Sequence, residues 1–567
     1  MDAHHRRTED RRRFLTRIGM IFGFRSLGES DLHHRRDTCR KRSRIHLQHQ
    51  VIAAFRPSLV IPSRNHAAVS RAHERSSQMS TETETIVRYR MSIAGQDRDS
   101  ASGEIIEVRN KFDGVVIGTV PAGTADDAQA ALDAAHHGAK IWSATPAFQR
   151  VAILKAAAAQ IRARRDELSS VLSAENGKTI ANASMEIDTT VRIFEGFAEE
   201  SLRLFGQTVP LDIQEGLQAD LMITVREPLG VMVGILPFNF PAELFAHKVG
   251  AALAAGNAIV VKPPEDDPIA TILLTEILHR AGVPGATLQL VTGYGDVVGD
   301  HLSKSPGIAA VTFTGSTEVG AIIAANAGRN VVRVFLELSG NDAFIVCDDA
   351  DIDDAVDHAV AGRIYANGQV CVATKRIMVA RSRYDDFLTN LRTRVEALRV
   401  GDQSDENTDV GPLISVDAAR LVERQIQEAV SQGARLLVGG TRNGAFITPA
   451  LLEIDTSVGI ATDEEIFGPV FSVLAVDSLD EAIEIANASQ FGLNAAVFTA
   501  DLKQAIRAGR RIKAGIVSVN GGNAYRPDVA AFGGYKKSGI GREGIAYTLD
   551  EFTQVKSIVL RGVITEE

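Results

Sequence analysis

Short apolar runs alternate with helical segments along much of the chain. Ala258-Ile259-Val260-Val261 is a continuous apolar run typical of a buried strand, and 269–281 follows it with the spacing of a helix. A strand at 376–379 and a helix at 384–398 repeat the alternation in the second half. Segments of these lengths predict an α/β fold with parallel sheets covered by helices on both faces. Such sheets bind ligands at the carboxyl ends of their strands, so we expect the chemistry there.

Other patterns predict the elements around these sheets. Asp113-Gly114 is a hairpin turn signal, and Thr124 is an N-cap before an alanine-rich helix. A long helix is predicted over 147–175, ended by Asn176-Gly177. The alternating run 221–225 stands apart from any helical unit and predicts a strand, for which 552–560 is a suitable partner.

Size and charge narrow the class of protein. A chain of 567 residues predicts two or three domains. The net charge of -10 argues against nucleic acid as the main partner. The three cysteines have unrelated spacings, which favours neither a disulfide framework nor a metal site. No apolar run is long enough for a membrane-spanning helix, so we expect a soluble, cytoplasmic protein.

The first part of the chain differs from the rest. Residues 1–78 are rich in arginine and histidine and carry no sustained apolar period. Three interpretations stay open: a basic nucleic-acid-binding arm, a transit peptide, which its acidic residues oppose, or a segment outside the working protein. Met79-Ser80-Thr81-Glu82 has the appearance of a natural protein start, which favours the third. We expect residues 1–90 to be a leader that is disordered or not native.

One of the three cysteines has the surroundings of a nucleophile. Cys39 lies in the arginine-rich leader and Cys347 in an apolar run. Cys371 instead follows Asn367-Gly368-Gln369-Val370, where small and amide residues leave room for a substrate carbon. Because most free cysteines are simply buried, a structural role for Cys371 stays open on this evidence alone.

Several polar residues follow predicted strands. Glu337 ends an apolar strand, and Asn239 lies between two prolines, although either side chain has an ordinary explanation as a strand end or a turn former. The turn with Gly315, Ser316 and Gly320 opens a helix whose N-terminus suits a phosphate group, or the glycines serve only tight packing. Finally, the pair Lys262 and Glu265 would suit a ribose or would be a surface ion pair.

Two of these stretches together resemble a known family. Asn367-Gly-Gln-x-Cys-x-Ala, with its cysteine 34 residues after the glutamate of Glu337-Leu-Ser-Gly, resembles the paired signature of the aldehyde dehydrogenase superfamily. The resemblance runs from about residue 100 to about residue 560, with Ala531 standing where proline is commoner. It implies a Rossmann-type cofactor domain, an α/β catalytic domain and a small β domain used in oligomerisation. The expected boundaries are 91–212 with 228–338 for the cofactor domain, 339–545 for the catalytic domain, and 213–227 with 546–567 for the bridging domain.

The resemblance also implies roles for the candidate residues. Cys371 would be the nucleophile, Glu337 the base that hydrolyses the thioester, and Asn239 an oxyanion donor together with the backbone N–H of Cys371. The cofactor would be NAD or NADP, with Glu465 on the nicotinamide ribose and Phe467 beside the ring. Since a carboxylate at Glu265 would repel a ribose phosphate, NAD is the expected cofactor and NADP the alternative.

The expected substrate is a small polar or anionic aldehyde. Semialdehyde-oxidising relatives usually carry arginine where His247 stands, and Tyr525-Arg526-Pro527-Asp528 resembles a loop of the lactaldehyde, glyceraldehyde-phosphate and phosphonoacetaldehyde branch. His247 and Arg526 are therefore candidate substrate residues, although an ion pair of Arg526 with Asp528 or a neighbouring subunit is an alternative. Val370 lacks the arginine of phosphonate-oxidising relatives, which weakens that choice. A homodimer or homotetramer is expected; coenzyme-A-acylating and catalytically silent relatives are the alternatives.

Overall fold

A mainly parallel sheet of eight strands forms the first half of the fold. The computed structural model describes residues 86–564, and the predictions for the leader 1–90 fall almost wholly outside this range. The four pairings at the centre of this sheet are parallel, and those at its two edges are antiparallel. In spatial order the strands are Gln96–Arg98, Met91–Ile93, Leu288–Leu290, Ala258–Lys262, Val231–Ile235, Ala310–Thr314, Arg333–Glu337 and Gly539–Ile540.

The second half contains a sheet of seven strands. All of its pairings are parallel except the one at the first edge. Each sheet has apolar cores on both faces, as expected for parallel strands. In order the strands are Arg435–Val438, Ala450–Glu453, Val470–Val476, Arg376–Ala380, Ala343–Val346, Asn494–Phe498 and Ile516–Val519.

Helices cover both sheets. The predicted cap is confirmed, because Thr124 accepts from the Asp127 N–H while the Asp127 carboxylate accepts from the Thr124 N–H. The helices of the first half are Ala125–Ala144, Ala147–Ala163, Arg165–Asn176, Ile180–Glu200, Pro241–Phe245, Ala246–Gly250, Ala251–Ala255, Ile269–Ala281, Gly295–Gly299, Asp300–Lys304 and Thr317–Arg329. Those of the second half are Ile352–Ile364, Tyr384–Glu396, Val416–Ser431, Leu479–Ala488, Leu502–Arg511 and Ile545–Glu551.

Two helix predictions need correction. The segment 147–175 is not one helix, because Arg164 leaves the helical conformation at φ -107° and ψ 19° and its side chain turns to Glu167. No glycine or proline marks this break, so the apolar period continues through it. The helix expected over 242–255 contains a wider π-helical turn at Ala246–Gly250. His247 and Lys248 lie on that turn, and π-helical turns are common at functional sites.

Three smaller β units complete the fold, and one of them is the short antiparallel pair Arg442–Asn443 with Phe446–Ile447. The Asp113-Gly114 hairpin is confirmed, with Ile105–Arg109 antiparallel to Val116–Pro121. The predicted pairing of two distant segments is also present, since Leu221–Pro228 pairs antiparallel with Thr553–Leu560 along eight residues. Thr208–Pro210 is the third strand of that sheet. The assignment of this sheet to a separate bridging domain stays a prediction.

The parallel strands bring several candidate residues together at the carboxyl ends of the central strands of the first sheet. Ile235 pairs with Lys262 at the ends of two neighbouring strands, and Thr314 pairs with Glu337 at the ends of the next two. The turn that carries Asn239 begins directly after Ile235. Within 86–564, no helix is both long and apolar enough to span a bilayer.

Candidate active site

The loop before Cys371 has an unusual backbone. Ala366, Asn367 and Gly368 are consecutive residues in the left-handed region, with φ of 45°, 58° and 80°. That conformation is costly for alanine, and less so for asparagine and glycine. A Cβ on Gly368 would lie 2.3 Å from the carbonyl oxygen of Gly468, so the two loops approach too closely for a side chain. The strained turn directs the chain from the helix Ile352–Ile364 back towards Cys371.

The side chain of Asn367 fastens this loop. Its Nδ2 donates to the carbonyls of Gly177 (2.8 Å) and Pro412 (2.9 Å), and its Oδ1 accepts from the Gly411 N–H at 2.8 Å. The residue is fully buried. These hydrogen bonds join three distant parts of the chain and compensate for the strained backbone.

Cys371 lies in a small apolar cluster. Phe240, Val370 and Phe532 belong to this cluster, and Cys371 itself is only partly buried. Burial raises the pKa of the thiol to about 12, while Lys375 and Arg526 lower it and Glu337 and Asp342 raise it further. Cys347 differs because it is buried directly after the strand Ala343–Val346. Of the two described cysteines, Cys371 is therefore the one that is partly accessible and has cations nearby.

Glu337 ends its strand as a buried carboxylate. Burial, and next the charge of Glu543, raise the pKa of Glu337 well above its ordinary value. Its Oε2 is buried and accepts no hydrogen bond from any described residue. A carboxyl group in this state holds its proton to higher pH than usual and can exchange it with a ligand or a water molecule.

The turn of Asn239 is held from below by two residues of the segment 176–178. Asn176 Nδ2 donates to the carbonyl of Phe238 at 2.7 Å. Lys178 Nζ donates to the carbonyl of Asn239 at 2.6 Å, pairs with Glu186 and lies 4.3 Å from the Phe240 ring centroid. The Oδ1 of Asn239 is buried and has no hydrogen-bond partner within the described range. The backbone of this turn is thus fixed by hydrogen bonds, and the side-chain amide of Asn239 keeps an oxygen that can accept one.

The proposed cofactor residues lie along the same sheet edge. Lys262 and Glu265 pair with each other directly after their strand. Ser316 accepts from the Val319 N–H and caps the helix Thr317–Arg329, while Gly315 is partly exposed beside it. A Cβ on Gly320 would lie 2.4 Å from Leu338 Cδ2, so this glycine permits close helix packing. The N-terminus of the helix Thr317–Arg329 suits a phosphate group, and the side chains of Lys262 and Glu265 can form hydrogen bonds with a ribose. The residues present therefore suit NAD or NADP.

A second loop approaches from the other sheet. Phe467 contacts Phe238 edge to face, with ring centroids 6.0 Å apart. Glu465 pairs with Lys375 Nζ at 2.5 Å, and the same ammonium donates to the carbonyls of Gly340 and Cys371, each at 2.5 Å. The loops of Glu337, Cys371 and Glu465 therefore meet at one buried lysine.

The two candidate substrate residues are in contact. Arg526 Nη2 lies 3.2 Å from His247 Nε2 and donates to Glu543 at 2.9 Å. Its guanidinium is 4.0 Å from the Phe532 ring centroid, and Nη1 is 3.8 Å from Glu243. Burial lowers the pKa of His247 to about 3, so its imidazole is neutral. The suggested partner Asp528 instead pairs with Arg192 at 3.2 Å.

Several residues that shape the site are absent from the sequence-based candidates. Lys375 is four residues after Cys371, and Asn176 and Lys178 flank a glycine interpreted only as a helix stop. Their position near a motif was the available signal for a functional role. A single lysine or asparagine, however, has no spacing pattern that would identify it in the sequence. Glu543 and Lys248 are also buried near Glu337, and Lys248 Nζ lies 3.9 Å from Glu543 Oε1.

Comparisons with known proteins establish the family. The model of the aldehyde dehydrogenase family matches residues 98–558. The succinate-semialdehyde dehydrogenase [NADP(+)] GabD of Escherichia coli is 37% identical over 83% of this chain and 97% of its own length. A lactaldehyde dehydrogenase of Methanococcus aeolicus is 36% identical over 80% of this chain and 97% of its own. The chain belongs to the aldehyde dehydrogenase family.

A solved structure shows the same fold. Aldehyde dehydrogenase 21 from Physcomitrella patens, determined in complex with the reaction product succinate, superposes with a TM-score of 0.81. It is 34% identical and covers 85% of this chain and 100% of its own. The protein is an NAD(P)-dependent oxidoreductase that converts an aldehyde to its acid, and the comparisons favour this reaction over the coenzyme-A-acylating alternative.

The nucleophile loop leads to a first prediction. Asn367→Ala should lower the free energy of unfolding by about 2–4 kcal/mol, because it leaves buried donors and acceptors unpaired. The apparent melting temperature should fall by several degrees, and turnover should fall with it. Asn443→Ala, at an exposed asparagine, is the matched control and should change neither. An Asn367→Ala protein with the parent's stability would show that the loop is held by other contacts.

Proposed function

We propose that the protein oxidises its aldehyde through a thioester on Cys371, with Glu337 as the base that hydrolyses it. The observation that carries this proposal is that the partly accessible Cys371 thiol lies close enough to the buried Glu337 carboxyl to be affected by its charge. Phe240, the neighbour of the buried Asn239, packs in the same apolar cluster as Cys371. Glu337 and Asn239 each keep an oxygen without a hydrogen-bond partner among residues 86–564. Buried polar atoms without a partner in the protein are typical of a ligand site.

The first half of the reaction forms the thioester. Cys371 Sγ bonds to the carbonyl carbon after the thiol loses its proton, and the Lys375 and Arg526 charges assist that loss. The carbonyl oxygen becomes an oxyanion, which the Asn239 amide and the Cys371 N–H stabilise by hydrogen bonds. When bound, the nicotinamide of NAD(P)+ accepts the two electrons and the hydrogen that leave the carbon. The residues that would hold this cofactor are Lys262, Glu265, Gly315, Ser316, Gly320, Glu465 and Phe467.

The second half releases the acid. Glu337 accepts a proton from water, whose oxygen then bonds to the thioester carbon while the bond to Sγ breaks. Because the pKa of Glu337 is raised, the carboxyl is protonated at low pH and cannot act as a base. Turnover should therefore rise as the pH rises through that pKa.

Replacement of the proposed base should separate the two halves. Glu337→Gln keeps the size of the side chain but cannot accept a proton, so hydrolysis should slow by roughly 10²–10⁴-fold. Rapid mixing should show a burst of NADH near one equivalent per active subunit, followed by a slow steady state. Hydroxylamine should partly restore turnover by attacking the thioester.

Two outcomes would contradict this role of Glu337. Normal steady-state turnover in Glu337→Gln would place the base elsewhere. A variant with native stability and neither a burst nor a trapped acyl group would show that Glu337 acts before the thioester forms.

The substrate is proposed to be a small polar or anionic aldehyde, of the lactaldehyde or semialdehyde kind. Arg526 supports this proposal, because its buried guanidinium neighbours both His247 and the Cys371 thiol. The names of the relatives described above point to the same class. A carboxylate on the substrate would compete with Glu543 and Glu243 for the Arg526 guanidinium. We therefore expect this contact to contribute the binding free energy of one charged hydrogen bond, and not that of an ion pair with an unpaired arginine.

A matched pair of substrates tests this proposal. The parent enzyme should prefer 4-oxobutanoate to butanal, which has the same number of carbons but no carboxylate. Arg526→Gln should lower kcat/KM for 4-oxobutanoate by roughly 10–100-fold more than for butanal. An equal loss for both aldehydes would show that Arg526 supports the site through Glu543 and does not contact the substrate.

We also propose a cytoplasmic homodimer or homotetramer. The strand Thr553–Leu560 forms one edge of the three-stranded sheet and exposes Val555, Ile558 and Val559. An exposed strand edge with apolar side chains favours pairing between chains. Light scattering at micromolar concentration should give the mass of two or four chains. A monomeric mass would refute the assembly.

A further inference from the structure

Lys375 is a buried cation with three acceptors. Its side chain is 3% exposed, and Nζ donates to Gly340 O, Cys371 O and Glu465 Oε1, each at 2.5 Å. An ammonium group has three hydrogens, so its donors are fully used. A buried lysine is costly unless it is paired and hydrogen-bonded, and here it has both kinds of partner.

The three acceptors belong to three different loops of the proposed mechanism. Gly340 follows the strand of Glu337, Cys371 carries the nucleophile, and Glu465 is the candidate for the cofactor ribose. The Gly340 N–H also donates to Glu465 Oε1 at 3.3 Å, which closes a small network. A shift of any one loop therefore breaks its hydrogen bond to Lys375, the residue through which it is joined to the other two loops.

We propose that Lys375 is a positioning residue, which fixes the carboxylate of Glu465 and the backbone of Cys371 in one arrangement so that bound cofactor and nucleophile are aligned. This inference rests on the proposed function, in which Cys371 attacks and Glu465 holds the ribose. Lys375 acts through those two residues and contacts no reacting atom. Phe467 is consistent with this arrangement, since its ring centroid is 5.8 Å from the same ammonium.

Removal of Lys375 should affect two separate properties. Lys375→Met leaves the Glu465 carboxylate with one N–H donor and two carbonyls with no partner from this side chain. The Kd of NADH, measured by its fluorescence without aldehyde, should rise roughly 10–100-fold, and kcat should fall by a similar factor. Lys375→Arg, which keeps the charge, should recover part of both.

The nucleophile gives an independent signal. The groups around the Cys371 thiol are Lys375, Arg526, Glu337 and Asp342, and Lys375 is the first of the cations. The pH midpoint for alkylation of Cys371 by iodoacetamide should therefore move to higher pH in Lys375→Met and back in Lys375→Arg. A lysine needed only for folding would change the melting temperature but not this midpoint.

A double-mutant cycle tests the link to the cofactor. Glu465→Gln should also weaken NADH binding, and the effect of Lys375→Met should be much smaller in that background, because both act through the same carboxylate. Fully additive effects would overturn the inference, as would an unchanged Kd and midpoint in Lys375→Met. If Lys375→Met does not fold, the same cycle with Lys375→Arg decides between these outcomes.

Two controls separate this inference from the proposed function. Lys536→Met removes another lysine that donates to two carbonyls, those of Asn487 and Ser489, and should leave kcat and Kd unchanged. Cys371→Ala tests the nucleophile itself. An active Cys371→Ala protein refutes the proposed function, whereas an inactive one beside a fully active Lys375→Met refutes only the role of Lys375.

Discussion

Three consecutive left-handed residues determine where the nucleophile lies. Ala366, Asn367 and Gly368 turn the chain sharply, and the buried side chain of Asn367 compensates for the cost with hydrogen bonds to Gly177, Gly411 and Pro412. Because these acceptors and donors come from distant parts of the sequence, the full set of hydrogen bonds requires both halves of the fold. The position of Cys371 is thus a tertiary property of the whole chain.

The electrostatics of the site follow from burial. Glu337 and Cys371 both lie where charge is costly, and the pKa of each is raised above its ordinary value. Lys375 and Arg526 work in the opposite direction on the thiol. Both groups therefore hold their protons to higher pH than they would in water, so the base and the nucleophile gain their charges as the pH rises.

Much of this arrangement could be predicted from the sequence. The strands that end in Lys262, Thr314 and Glu337 follow from apolar runs, and their convergence follows from parallel pairing. Cys371 and Glu337 were recognisable from their motifs. The break at Arg164 was not, because no glycine or proline marks it, and the helix period passes through it unchanged.

The contacts that support the candidate residues could not be predicted from the sequence. Lys375 acts through contacts with residues 35 and 90 positions away along the chain, which no local pattern reveals. Arg526 was a candidate to face a polar or anionic aldehyde, with an ion pair to Asp528 or a neighbouring subunit as the alternative. The fold instead places Glu543 and Glu243 beside it. Such pairings depend on three-dimensional packing, so a charge identified in sequence does not establish a charge available to substrate.

The central claim is that the aldehyde carbon becomes bonded to one particular sulfur. The most direct test is mass spectrometry of enzyme quenched in acid during turnover with 4-oxobutanoate and NAD+, followed by peptide mapping. A mass increase equal to the acyl group should appear on the peptide that contains Cys371 and not on the one that contains Cys347, the other described cysteine. An acyl group on Cys347, or full turnover in Cys371→Ala with no acylated peptide, would contradict the account.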